Sequence, residues 1–336
     1  MSQVLAVDLG GTKCSAAIVD RKGKIVSCRT VKVDVSSRSG PVRQIVGLAQ
    51  DLAGGKKPKD AYCGAAVAVP GLVRRSGTVW APNLPGWEQM PLARGLTRSL
   101  GIPVQVESDR NAAVLGEWWR GAARGKSDAI VLMIGTGIGA GILSGGHIIH
   151  GSHELSGCAG WMTVTREEVV MAQGRGELES LVAGPAIAWS AQQRLRSTES
   201  SALAQLDVSK ITAHDVATAA RRGDKLAVDV FNRAGRLLGF AVANLVSVLD
   251  PEVIILGGGL AAVADLYLGP LRQAMHERAQ PLAADKVKVV VSRMADTVNL
   301  LGCARLAWTP GITTRELAFQ IRSSGKQQSR TKKETK

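Results

Sequence analysis

Asp8 ends a short apolar run, Val4 to Asp8, and is followed at once by Gly10, Gly11, Thr12 and Lys13. Glycines in such a turn let backbone N–H groups approach a phosphate without a Cβ in the way, while Thr12 and Lys13 add side-chain donors. Gly135, Thr136 and Gly137, in the run Gly135 to Gly141 after Ile134, offer the same chemistry, and Gly257, Gly258 and Gly259 form a third close-approach site after a strand-like run. Each turn alone reads equally well as an ordinary strand connection; two facing each other suit a triphosphate. Asp8 stands where Mg2+ could be held through water, since a hard cation bridging phosphates takes carboxylate oxygen and keeps waters. A turn-capping aspartate is the plain alternative. Asp109 lies at a strand-to-helix junction, the edge of a sheet where open α/β folds place ligands, although a helix cap needs the same residue. His147, His150 and His153 are spaced i, i+3, i+6 on a strand and loop, a spacing that does not converge on a metal, so surface or hydrogen-bonded histidines are expected. Cys158 has only His153 within a few residues to deprotonate it, which is poor support for a thiolate nucleophile.

The elements that must carry these residues follow from periodicity. Val4 to Asp8, Ser15 to Val19 and Ile25 to Val33 read as strands joined by the glycine turn and by Asp20 to Lys24, a three-stranded meander rather than the strand-to-helix order of a Rossmann or Walker unit. Helical spacing is expected over Pro41 to Leu52, Leu92 to Leu100 and Asn111 to about Arg124, with strands at Tyr62 to Val69 and Val104 to Glu107. A second strand-turn-strand opens at Asp128, with Gly135 to Gly141 read as its turn, and it echoes the first at a separation of about 125 residues, as two related α/β halves would. Helices are then expected at Pro185 to Arg196, Asp215 to Arg221, Lys225 to Leu249 and Asn299 to Trp308, with strands at Val253 to Leu256 and Val287 to Val291.

With 336 residues, 45% hydrophobic and 21% charged, the chain is long enough for two ordinary domains. Its longest charge-free stretch, Ala129 to His153, is broken by glycines and polar residues and is no membrane span. No signal peptide is recognisable at Met1. Five scattered cysteines without CxC or CxxC spacing point away from disulfides and zinc knuckles and toward reduced, mostly core thiols in the cytoplasm. The net charge of +14 falls to +9 without Arg322 to Lys336, which holds six Lys/Arg against one Glu. That segment lacks apolar residues and is expected to be disordered, either a solubilising end or an arm for an anionic partner; it carries no aromatic residue on which a base could stack.

The residues taken in order resemble the ROK family of sugar kinases and sugar-responsive repressors. The resemblance is carried by Asp8-Leu-Gly-Gly-Thr-Lys13, Val69-Pro70-Gly71, Ala81-Pro-Asn-Leu-Pro-Gly-Trp87, Glu107-Ser-Asp-Arg-Asn-Ala-Ala113 with Gly116-Glu117, Gly135 to Gly141, and Asp250-Pro251 leading to Gly257-Gly-Gly259. It runs over nearly the whole chain, to about Trp308. It implies an actin-like ATPase (ribonuclease H-like) fold, two α/β domains around a cleft. The domains are expected at residues 1–120 and 121–298, with a closing helix at about 299–318 packing back on the first and a basic tail at 319–336. By the same resemblance ATP and Mg2+ are the cofactors, the hairpins hold nucleotide phosphates, adenosine lies near Gly257 to Gly259, and Asp109 is the base that accepts a proton from a sugar hydroxyl, typically that on C6. Gly71, Asn83, Ser108, Asp109, Cys158, Trp161 and Glu179 fall on sugar-pocket positions. Asn83 also reads as an Asx turn before Pro85, and Glu179 as a solvated carboxylate at a helix start.

Three positions depart from the family. Cys158 stands where it normally has Glu, Trp161 where it has His, and Ser108 where it has Asn. The family histidine also holds a structural zinc with three cysteines, which here align with Met171, Gln173 and Glu177, so no structural zinc is expected. Changed sugar recognition with the phosphate-binding residues kept fits this pattern better than general decay. Trp161 offers a face for a pyranose to stack on, or a core side chain. The expected activity is therefore ATP-dependent phosphorylation of a sugar hydroxyl with altered specificity; the other reading is an inactive sugar-sensing or partner-binding pseudokinase. Family repressors carry a helix-turn-helix before the position of Asp8; seven residues precede it here, so no DNA-binding domain is expected. A small-molecule sugar partner, no membrane and a possible homodimer complete the expectations.

Overall fold

The computed structural model describes residues 3–166, 169, 174–197 and 200–309. It divides into two compact units: Met1–Ser127 with Gly141–Ser156 and the segment from Asp296 onward, and Asp128–Ala140 with Gly157–Ala295.

In the first unit, β1 (Val4–Leu9) is apolar on both faces and buried along most of its length, as a central strand must be. The Gly10 N–H donates to the Lys13 carbonyl at 2.9 Å, closing the turn into antiparallel β2 (Lys13–Val19). Next comes β3 (Ile25–Lys32), exposed through Ser27, Arg29, Thr30 and Lys32. Such polar and charged side chains suit an edge strand, where they discourage pairing with another chain. Helices α1 (Gly40–Leu52) and α2 (Pro58–Ala61) lead to β4 (Ala65–Val69), which runs parallel to β1; β5 (Leu72–Val73) and β6 (Val79–Trp80) form a small separate hairpin. Buried Leu92, Leu96 and Leu100 line one face of α3 (Leu92–Leu100), which ends on left-handed Gly101. β7 (Val104–Ser108) then completes a sheet of order β3-β2-β1-β4-β7 and feeds α4 (Asp109–Arg120).

The second half repeats the plan: β8 (Ala129–Ile134), a glycine turn, β9 (Ile138–Ser144) and β10 (His147–Ile148). After α5 (Glu177–Val182), α6 (Gly184–Arg196), α7 (Ala213–Arg221) and α8 (Lys225–Leu249), parallel β11 (Val253–Gly257) is added beside β8. α9 (Leu268–Arg278) and α10 (Pro281–Lys286) precede β12 (Lys288–Val291), and the order β10-β9-β8-β11-β12 mirrors that of the first sheet. Asp224 caps α8 by accepting from the Ala227 N–H at 3.0 Å. The last helix, α11 (Val298–Ala307), packs on α4 and β1. Gly302 permits this, since a Cβ there would strike the Ala112 carbonyl. Among the described residues no helix is long and apolar enough to cross a membrane.

Several expectations need correction. The second turn is only Gly135–Gly137: β9 begins at Ile138, because Ile138, Ala140, Ile142 and Leu143 are buried as strand residues. α4 starts at Asp109, not Asn111, and stops at Arg120, where Gly121 adopts a non-helical conformation. Gly141–Ser156 groups with the first unit rather than with residues 121–298. Arg110 accounts for this: its Nε donates to the Ser156 carbonyl at 2.9 Å, and its own carbonyl sits where a Cβ on Gly141 would be. All five cysteines are free, but Cys28 on the edge strand and Cys63 in a loop are exposed rather than core. The basic tail at 319–336 and the extension of the last helix past residue 309 lie outside the described residues.

Candidate functional site

Parallel pairing brings the two aspartates to one sheet edge. Asp8 is in register with Ala68 of β4, and Ala68 with Glu107 of β7; Asp109 follows two residues later as the first residue of α4. β1 and β7 are therefore two strand spacings, roughly 10 Å, apart, and both carboxylates emerge at the C-terminal ends of parallel strands. Burial pushes the Asp8 carboxyl up to about 6, the negative charge of Asp109 adds to this, and a hydrogen bond from Asn299 and the charge of Lys13 oppose it. Asn299 Nδ2 donates to Asp8 Oδ1 at 3.1 Å. Burial also raises the Asp109 carboxyl, against the Arg110 guanidinium and the Arg110 N–H that donates to Oδ1 at 2.8 Å.

The strand-to-helix junction is held by Glu107. Its Oε1 accepts from the Ser108 N–H at 2.8 Å and from Asn111 Nδ2 at 3.0 Å, and its Oε2 lies 3.2 Å from His150 Nε2. Ser108 is buried, and its Oγ, like Asn299 Oδ1, has no hydrogen-bond partner among the described residues. Two orphaned polar atoms flanking two raised carboxyls mark a place suited to a polar ligand.

Among the remaining first-unit candidates, Gly11 and Asn83 are brought together. Gly11 lies against Asn83, whose Cβ is 4.0 Å from where a Gly11 Cβ would be. Asn83 is exposed because its neighbours anchor the loop: Leu84 and Trp87 are buried, and Trp87 Nε1 donates to the Arg38 carbonyl at 2.9 Å. Lys13 makes an exposed ion pair with Asp296 at 2.9 Å. Gly71 has φ +108° with the Trp80 carbonyl against its missing Cβ, a backbone reason for glycine that is separate from any ligand.

In the second unit the Gly135 N–H donates to the Gly137 carbonyl at 2.9 Å, leaving Thr136 exposed at the tip. Gly258 has φ +80°, and a Cβ there would lie 2.5 Å from the Ile134 carbonyl; the Gly259 nitrogen is 3.8 Å from the Cβ position of Gly135. Gly257 is in register with Met133, so the third glycine run abuts the second hairpin. Glu179 is not simply a solvated carboxylate: its Oε2 accepts from the Ile138 N–H at 2.7 Å, bracing the hairpin from α5. Trp161 is 60% exposed, which removes the core reading, and Cys158 is half-buried at the start of a 3₁₀ turn, Ala159–Trp161. At the aligned zinc positions, Met171 and Gln173 lie outside the described residues, while Glu177 accepts from the Val164 and Thr165 N–H groups at 2.7 and 3.1 Å.

Asn299, the clamp of Glu107 with His150, and the bracing role of Glu179 were missed by sequence reasoning. Asn299 is 291 residues from Asp8, and nothing local in its helix singles it out. Glu107 does stand in the quoted run beside Asp109, so its place was visible though its role was not.

A family model described as the ROK family matches residues 4–309. The chain belongs to the ROK family. It is 32% identical over 306 residues to a glucokinase of Halalkalibacterium halodurans, spanning 89% of this chain and 92% of that one. It is 27% identical to a putative xylose repressor of a Caldicellulosiruptor species, over 90% of this chain and 77% of the relative. Among solved structures it matches the ROK family glucokinase of Streptomyces griseus in complex with glucose and AMPPNP, with a TM-score of 0.74 and 29% identity over 91% of this chain and 99% of that one. The fold is thus the actin-like ATPase fold of this ROK member's relatives, with the sheet order seen above.

Proposed function

We propose that this ROK protein is an ATP-dependent sugar kinase that transfers the γ-phosphoryl group to a sugar hydroxyl, the 6-hydroxyl of a hexose or hexose derivative, with altered sugar specificity. The observation that carries this reading is the pair of raised carboxyls, Asp8 and Asp109, at one edge of the first sheet beside an orphaned Ser108 Oγ. In it Asp109 is the base: its ionised carboxylate accepts the proton of the attacking hydroxyl, so that an alkoxide need not form in advance. A raised carboxyl suits that task better than an ordinary one, because a stronger base takes the proton more readily.

Asp8 would hold Mg2+ through water, which supplies neutralisation of phosphate charge when bound. The donor set fits: among the described residues no three His, Cys, Asp or Glu side chains gather, yet an ion that also binds phosphates needs only one or two carboxylates. Gly10, Gly11, Thr12 and Lys13 in one hairpin and Gly135, Thr136 and Gly137 in the other are assigned to the phosphates, and Gly257 to Gly259 to the adenosine. Asn83 and Glu179 are assigned to sugar hydroxyls, with Glu179 carrying this duty beside its bond to the Ile138 N–H. Glucose recognition does not carry over automatically, because Cys158 and Trp161 replace the acidic and imidazole partners of the family pocket, and a polar site that loses partners loses discrimination. The exposed Trp161 ring offers stacking in their place.

The test is coupled ADP release against a panel of hexoses, amino sugars and N-acetyl sugars, for the native chain and for Asp109→Asn. At least one sugar should be turned over, and Asp109→Asn should lower its rate by on the order of 10²–10⁴-fold while nucleotide binding, followed by thermal shift, stays nearly intact. Unchanged turnover in the variant removes the base assignment. Sugar binding with no turnover of any sugar replaces the kinase by the non-catalytic sugar sensor.

A further inference from the structure

Ser108 is the residue before α4, yet its side chain makes no capping bond to the first turn. Glu107 supplies what a cap would. Its Oε1 accepts from both the Ser108 N–H and Asn111 Nδ2, so one oxygen brackets Asp109 from both sides in the chain. A carboxylate here also faces the favourable end of the helix dipole.

The other oxygen, Oε2, faces His150 Nε2 at 3.2 Å, and His150 Nδ1 faces the Ile148 carbonyl at 3.2 Å. Both side chains of the pair are only 8% exposed. A carbonyl can only accept, so the single proton of a neutral imidazole belongs on Nδ1. Nε2 and Oε2 then need one further proton between them; without it two lone pairs face each other in a mostly buried place, which is repulsive. The clamp is therefore complete only while histidine and glutamate together carry that proton. The loop that presents His150 is itself fixed: the His150 carbonyl accepts from the Ser156 N–H at 3.1 Å, and the Ser156 carbonyl accepts from Arg110 Nε. Around the pair stand Asp109 and Arg110 on α4, Glu154 on the same loop, and Arg74 and Arg75 after β5, with Arg75 Nε 3.1 Å from Glu154. The charge of Glu107 is also felt by Cys303 on α11, whose thiol it helps to raise.

We infer that Glu107 is the positioning residue for Asp109, and that the proton it shares with His150 keeps the first turn of α4 in place for phosphoryl transfer. The inference rests on the kinase reading of Asp109. Glu107 acts through the Ser108 peptide and Asn111, not on the reacting atoms; a base displaced by about 1 Å costs up to about a hundredfold in rate. Losing the shared proton slackens the turn, so the rate falls on the alkaline side, whereas ionisation of Asp109 governs the acid side. Glutamine at position 107 closes the clamp without that proton: its carbonyl oxygen accepts from Ser108 and Asn111, and its amide donates to Nε2 of a neutral imidazole.

Steady-state kinetics with a sugar that the native chain turns over are measured from about pH 6 to 9 on the native chain, Glu107→Ala, Glu107→Gln and His150→Phe. Circular dichroism verifies folding, and hydrogen exchange read by mass spectrometry follows residues 108–111. Glu107→Ala and His150→Phe should stay folded and exchange faster over 108–111. Both should lose about tenfold or more in kcat while the sugar KM stays within about threefold. Glu107→Gln should regain about fivefold or more over Glu107→Ala and lack the alkaline fall of the native chain. If Glu107→Ala does not fold, the pH profile of Glu107→Gln decides alone. Unchanged kcat in folded Glu107→Ala, or an alkaline fall kept in Glu107→Gln, overturns the inference and leaves the kinase reading standing. So does faster exchange spread over the whole first unit with no rescue by glutamine, which reduces Glu107 to a structural residue. Where the native chain turns over no sugar, the kinase reading itself has failed and the inference falls with it.

Discussion

The charge on Asp8 should destabilise the resting protein at neutral pH. Its carboxyl is pushed from an ordinary 3.8 up to about 6, chiefly by burial, so the folded chain holds a proton there more tightly than the unfolded chain does. Between those two values the native state binds more protons, and stability from this group falls as pH rises. The contribution is fully present below about pH 4 and lost above about pH 6. Holding the proton that much more tightly is worth about 3 kcal/mol. In Asp8→Asn the neutral amide carries no ionisation cost, and its oxygen still accepts from Asn299 Nδ2. Urea unfolding in the absence of nucleotide and metal should therefore show the variant more stable than the native chain by about 3 kcal/mol near pH 8, with the gap shrinking to near zero at about pH 4. Phosphoryl transfer should be lost in the same variant if Asp8 supports Mg2+ through water. A gap that is constant with pH, or that grows toward acid, refutes the reasoning.

Two further outcomes follow from the same edge. Because Asp109 acts ionised and its carboxyl is raised by burial, kcat/KM should fall on the acid side with an inflection above the ordinary carboxylate value; a profile flat down to about pH 4 counts against it as base. Gly302→Ala should cost about 2 kcal/mol or more in chemical unfolding, because its Cβ has to push aside the Ala112 carbonyl of α4. The same shift moves the helix that begins at Asp109, so kcat should drop more than sugar affinity; an unchanged kcat in a destabilised variant would separate helix packing from the position of the base.

Much of the fold was legible because it rests on local signals. Leu92 to Leu100 and Lys225 to Leu249 were read to the residue, since each is an amphipathic helix with its own stop, Gly101 or left-handed Asp250. The meander of β1 to β3 followed from short β-like runs separated by glycine turns. Boundaries failed where glycines are strand residues: Gly139 and Gly141 belong to β9, and only the close approach of the Arg110 carbonyl explains the second.

The chain's own order of residues determined the family and made Asp8 and Asp109 candidates, because turn glycines, Asp8 and Asp109 sit in short contiguous runs whose chemistry is local. Tertiary structure alone decided that Asn299 donates to Asp8, that His150 closes the clamp on Glu107, and that Glu179 braces the second hairpin. The physical reason is that these contacts join residues from separate elements, and the burial that raises the two carboxyls is a property of the packed sheet edge. A linear pattern records residue types, while charge cost and hydrogen-bond partnership depend on what folding brings alongside them.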